Sequence, residues 1–173
     1  MSTQFKLLTS FLFLLITLIG CKKDDVTKPD QFEGEWYLKT KVGSTDVYTR
    51  KEVGNTFTGL SLSTNNTLKT KIKIIKTVEG KYLITIPDVS GKVLEARIYT
   101  SLPIILLFTN ISGSGLATQQ FTFEPVLNST KGYYVKSGNL YLGATYAASN
   151  SYFLFFSETI NNSATSFVWE LEP

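Results

Sequence analysis

From residue 32 to the C-terminus, short apolar runs alternate with polar positions and are broken by Gly, Asn, Ser and Pro; no window holds a helical period for three turns. This pattern predicts strands at 81–86, 93–96, 104–108, 120–124, 133–136, 140–142, 152–156 and 167–171. Loops are expected at 63–66, 111–115 and 161–163, where Ser, Asn and Gly cluster. Lys69, Lys71 and Lys73 alternate with Thr70, Ile72 and Ile74, which is how a strand with one wet face looks; the alternative is a contact with anionic lipid or polysaccharide.

The pattern also repeats. Sliding the chain by 48 residues lays 92–125 on 140–173 without a gap, matching Leu94 to Leu142, Ala96 to Ala144, Ser101 to Ser149, Leu106 to Leu154, Phe108 to Phe156 and Glu124-Pro125 to Glu172-Pro173. Gly80-Lys81-Tyr82 answers Lys131-Gly132-Tyr133, and a looser copy sets Trp36 on Tyr82, Leu60 on Leu106 and Leu62 on Phe108. Three copies, about 33–78, 79–125 and 126–173, therefore fill the domain. The expected core is Leu94, Leu106, Phe108, Phe121, Phe123, Leu142, Leu154, Phe156, Trp169 and Leu171, while the matching Glu124 and Glu172 read as architectural.

Three helix-free units of four short strands resemble the β-trefoil, an all-β fold in which six strands close a small barrel and three hairpins cap it. One unit alone exposes an apolar face and unpaired edges, which three units around an axis bury and close. An alternative starts from Gly34-Glu35-Trp36, which resembles the Gly-x-Trp opening of lipocalin-like β-barrels; that resemblance leaves the repeat unexplained. Within trefoils, Gln119-Gln120-Phe121 and Phe167-Val168-Trp169 are similar to the Gln-x-Trp that ends each repeat of ricin-type lectins. The resemblance implies a core role for the aromatic, and by position it implies ligand-binding candidates at Asp88, Tyr99 and Asn110 in the second copy and Tyr146, Asn150 and Tyr152 in the third.

The first 31 residues follow a different logic. Lys6 precedes an apolar run from Leu7 to Ile19, and small Gly20 follows, so 1–20 reads as a secretion signal. As a helix the run rises only ~20 Å, short of the ~30 Å hydrocarbon core. Leu18-Ile19-Gly20-Cys21 resembles the bacterial lipobox, which implies cleavage before Cys21 and acylation of its thiol. Two or three acyl chains, at ~0.8 kcal/mol per buried methylene, anchor a protein stably. Lys22-Lys23-Asp24-Asp25 resembles the surface-export signal of Bacteroidetes-type lipoproteins. Residues 21–31 then form a lipidated polar tether, and 32–173 the domain, lodged at the outer face of a bacterial outer membrane.

Charge and composition narrow the chemistry. The chain carries 17 Lys and Arg against 14 Asp and Glu; losing Lys6 with the signal leaves a balance too small to steer nucleic acid. The 173 residues contain no His and a single Cys, the one assigned to lipid. The usual zinc ligands, the commonest general base and a thiol nucleophile are thereby missing, so neither metal nor cofactor is expected. No Ser-x-x-Lys or Gly-x-Ser-x-Gly is present. The sequence thus points to a non-catalytic recognition module for a glycan or a protein partner, or else to an accessory subunit of an envelope assembly.

Overall fold

In the computed structural model, which describes residues 30–54, 58–98, 106–111, 116–147, 151–160 and 165–173, three successive stretches of chain build the same strand pattern. The first holds β1 (Gly34–Val42), β2 (Thr45–Val53), β3 (Thr58–Ser63) and β4 (Lys71–Lys76). The second holds β5 (Tyr82–Thr85), β6 (Lys92–Leu94), β7 (Leu106–Asn110) and β8 (Thr122–Pro125). The third holds β9 (Gly132–Ser137), β10 (Leu140–Ala147), β11 (Ser151–Ser157), the short β12 (Thr165–Ser166) and β13 (Val168–Glu172).

Six of these strands close a ring. Antiparallel ladders join β1 to β4, β4 to β5, β8 to β9, β9 to β13 and β13 back to β1. The remaining gap, β5 to β8, is bridged by reciprocal backbone bonds, Tyr82 N to Phe121 O at 2.9 Å and Phe121 N to Tyr82 O at 2.7 Å. Closure removes the free edges that each repeat presents on its own. The hairpins β2–β3, β6–β7 and β10–β11 cover one end of the ring. This is the β-trefoil arrangement the repeats resemble. Around the ring the order is β1-β4-β5-β8-β9-β13, not the sequential order of a lipocalin-like barrel, and Trp36 takes the place in the first repeat that Tyr82 and Tyr133 take in the others.

The repeat register carries directly into pairing. Leu94 lies opposite Phe108 and Leu142 opposite Phe156, the same hairpin position 48 residues apart. Ring strands contribute two threefold sets of buried side chains, Leu38, Ile84 and Val135, then Ile72, Phe121 and Trp169, while Leu60, Leu106 and Leu154 come from the third strands. Nine of the ten expected core residues are buried; Leu171 packs against the core but stays partly open. Trp169 is held in place by its indole N–H, which donates to Leu142 O at 2.8 Å. On β4, Ile72 and Ile74 face inward and Lys73 faces water, as the alternation predicts.

Two expectations need correction. The strand foreseen at 93–96 ends at Leu94, because the Ala96 N–H leaves the hairpin and donates to Thr118 O at 2.8 Å. The repeats are also not helix-free: Asn66–Leu68 and Ala117–Gln119 each form one 3-10 turn. Local polar side chains explain both, since Asn65 Oδ1 accepts from Thr67 N at 3.0 Å and Gln119 Oε1 accepts from Leu116 N at 3.2 Å.

The two ends of the barrel differ. At the end away from the hairpins, Phe32 is buried, stacked on Phe123 at 4.9 Å and edge-on to Tyr82 and Tyr133 at 5.5 and 5.0 Å. The Trp36 indole donates to Phe32 O at 2.8 Å and fixes this plug. Ring, caps and plug all lie within Gln31–Pro173, a compact unit that completes its core from its own residues.

The outer wall repeats too, with one exception. Where β13 meets β1, Lys39 pairs with Glu172 at 2.6 Å and Glu170 at 3.0 Å; where β8 meets β9, Lys136 pairs with Glu124 at 2.8 Å. These hydrogen bonds raise both lysines above their ordinary pKa, Glu172 acting most strongly on Lys39 and Glu124 on Lys136. At the third seam, between β4 and β5, the positions equivalent to Glu124 and Lys136 are Ile75 and Thr85.

Candidate functional site

A polar cleft of about 250 Å³ lies in the hairpin cap between the first and third repeats. Its first wall is β2 and β3. Val47 and Thr49 point into the core, so the alternation of β2 turns Arg50 and Glu52 outward on one face. Arg50 lies opposite Ser61 in the hairpin ladder, and this brings three polar groups together. Glu52 Oε1 accepts from Arg50 Nε at 2.7 Å, from Arg50 Nη2, and from Ser61 Oγ at 2.8 Å. Burial pushes the Glu52 carboxyl up, but the bonds from Ser61 and Arg50 outweigh it and hold the group below its ordinary value.

The second wall is β11, which supplies Ser151 and Tyr152; Ser63 and Thr64 complete the rim. Tyr146 and Tyr152 face each other across the β10–β11 ladder with ring centroids 5.5 Å apart in an edge arrangement. Tyr146 is 48% exposed, whereas Tyr152 packs its ring partly into the core. The cleft therefore joins an ionised, hydrogen-bonded carboxylate, a guanidinium and several hydroxyls to the Tyr152 ring. Its carboxylate is held ionised by its own neighbours, and the cleft presents hydrogen-bond donors and acceptors side by side.

The other candidates separate. Asp88 sits in the turn between β5 and β6 and forms an ion pair with Lys51 of β2, whose hydrogen bond keeps the carboxyl below its usual range. Asn110 ends β7 opposite Lys92, and its carbonyl accepts from Gln119 Nε2 at 3.0 Å. Asp88 thus reaches toward the first repeat, and no hydrogen bond joins it to Asn110. Tyr99 and Asn150 lie outside the described residues, as do Leu18, Ile19, Gly20, Cys21, Lys22, Lys23, Asp24 and Asp25.

Gln119 and Phe121 show what the lectin-like motif does here. Phe121 is buried in the ring, and Gln119 is buried beneath the second hairpin, donating to Thr109 Oγ1 at 2.9 Å as well as to Asn110 O. Sequence reading missed Arg50, Glu52 and Ser61. Their signal was an opposite-charge pair two residues apart in an extended run, which places both on one face. Among the described residues no group of three or more His, Cys, Asp or Glu is placed to hold a metal ion.

No protein-family model matches this chain, and no curated protein matches it. Solved structures do. Cry35Ab1 superposes with a TM-score of 0.59 at 14% identity, covering 82% of this chain and 36% of that one, so the chain spans about a third of that protein's length. The Haemophilus ducreyi cytolethal distending toxin gives a TM-score of 0.55 at 12% identity, over 84% of this chain and 87% of that one. The BEL β-trefoil, in an apo crystal form, gives 0.54 at 15% identity, over 84% and 97%. Such low identities speak to the fold alone. Together with the six-strand ring they define the class: an all-β domain of the β-trefoil type.

Proposed function

We propose that this chain is a lipid-anchored lipoprotein of a bacterial outer membrane, whose β-trefoil domain serves as a non-catalytic recognition module for glycan at the cell surface. The observation that carries the binding role is the cap cleft, where Tyr152 stands beside a carboxylate fixed by Arg50 and Ser61. Carbohydrate offers hydroxyls to such a carboxylate and guanidinium and an apolar ring face to tyrosine. The cleft is in the hairpin cap, and Phe32, the first apolar residue after the tether, plugs the opposite end. Within the domain, its first residues thus lie at the end away from the cleft.

A glycan array probed with Gln31–Pro173 tests the recognition role. Binding that falls at least tenfold in Tyr152→Ala and Glu52→Gln, with melting temperatures near the parent's, supports it; no binding to any polysaccharide overturns it. The anchor is tested separately by mass spectrometry of the native protein, which should find an N-terminal acylated Cys21. Protease shaving of cells carrying Lys23, Asp24 and Asp25 to Ala should show lost surface access. A second reading, an accessory subunit that packs on another envelope protein, draws on the exposed Tyr146 and is favoured if an envelope partner co-purifies while the array stays blank.

A further inference from the structure

The departure from threefold symmetry at the β4–β5 seam opens a pocket of about 300 Å³ on the barrel's outer wall. At the other two seams this surface is covered by lysine–glutamate pairs and by Tyr37 or Tyr134. Here the same register positions hold Ile75, Thr85 and Leu83. Val89, Val93 and Ile111 from the second repeat complete an apolar floor.

Lys73 lies directly opposite Thr85 in the β4–β5 ladder, and Thr85 Oγ1 donates to the Lys92 carbonyl at 2.7 Å, so Lys73 and Lys92 flank the same residue. Both lysines line the pocket, and among the described residues neither has a carboxylate partner. No acidic residue is among those lining the pocket: Asp88 is engaged by Lys51 and Glu95 by Arg97, while Glu35 stands opposite Lys73 on β1 with no salt bridge between them among the described residues. An apolar floor whose lining adds two lysines and no acidic residue is complementary to a molecule with an apolar body and an anionic head. The volume lies at the small end of ligand sites, ~300–1,000 Å³.

We infer that the β4–β5 pocket binds a monomeric, medium-chain carboxylate amphiphile, with its head between Lys73 and Lys92 and its tail on Ile75, Leu83 and Val89. The site is separate from the cap cleft and does not depend on glycan recognition there.

Calorimetric titration of Gln31–Pro173 with sodium decanoate, below its micellar range, tests this. Saturable one-to-one binding is expected, at least tenfold tighter than that of decyltrimethylammonium, whose tail is the same and whose head is cationic. Lys73→Gln with Lys92→Gln should weaken decanoate at least tenfold. Ile75→Glu with Thr85→Lys, which restores the ion pair of the other seams, should abolish binding while the protein still melts cooperatively. Absence of saturable decanoate binding, equal affinity for the cationic probe, or undiminished binding in either folded double variant overturns the inference. So does adsorption to phosphatidylglycerol vesicles in place of binding free decanoate, since the anion recognised would then be a membrane surface.

Discussion

Lys39 and Glu172 lie 2.6 Å apart where the first ring strand meets the last, and Lys136 and Glu124 repeat that pair one seam earlier. Removing it by Lys39→Met should cost about 0.5–1 kcal/mol, the scale of a well-formed surface pair. The pair also fixes a pH response. Its partners raise the folded Lys39 pKa above the ordinary 10.5, so the contribution is complete below 10.5 and is lost as pH rises toward the folded value. Urea unfolding followed from pH 8 upward should show a decline above pH 10.5 that is smaller in Lys39→Met.

Phe32 should matter more than its place at the margin of the domain suggests. Phe32→Ala removes a ring packed on Phe123, Tyr82 and Tyr133 and opens the barrel's end, at a cost of about 3 kcal/mol. Chemical denaturation checks this; a loss below ~0.5 kcal/mol would mean the plug seals nothing.

Much of the barrel was legible because its determinants are local and repeated. Leu94 and Leu142, Phe108 and Phe156, and Glu124 and Glu172 keep one spacing, and each pair meets equivalent partners across the fold. Strand ends were less legible. The departure of Ala96 toward Thr118 depends on a contact 22 residues away, which no local pattern reports. The cap cleft was seen only in part: Tyr146 and Tyr152 come together, but Arg50, Glu52 and Ser61 arrive from the first repeat, where the copy is most diverged. The ion pair of Asp88 with Lys51 was not legible either, because it is a contact between repeats.

Gly143 is required by its neighbours, not by its backbone angle. A Cβ there would lie 2.6 Å from Phe155 Cζ and 2.8 Å from Phe167 Cε1, two rings already packed edge-on at 5.6 Å. Gly143→Ala should destabilise by about 1–3 kcal/mol, the cost of overpacking, measurable as a shift in the urea midpoint.

Acid should loosen the cap cleft. Glu52 has a folded pKa below its ordinary 4.5, so its contribution is present above 4.5 and is lost as pH falls through the lower folded value. Ser61→Ala, which takes away one donor to this carboxylate, should narrow the difference in stability between pH 7 and pH 3 by about 0.5–1 kcal/mol. An unchanged difference would show that the carboxylate does not depend on Ser61.

Because β1 is laced antiparallel to β4 along Gly34–Tyr37 and to β13 along Tyr37–Thr40, a pull directed along β1 would load both ladders in shear. Rupture then requires several backbone bonds to fail together rather than one after another. A fold that spends its N-terminal strand on closing the ring gains, in the same stroke, a mechanically resistant point from which to be tugged.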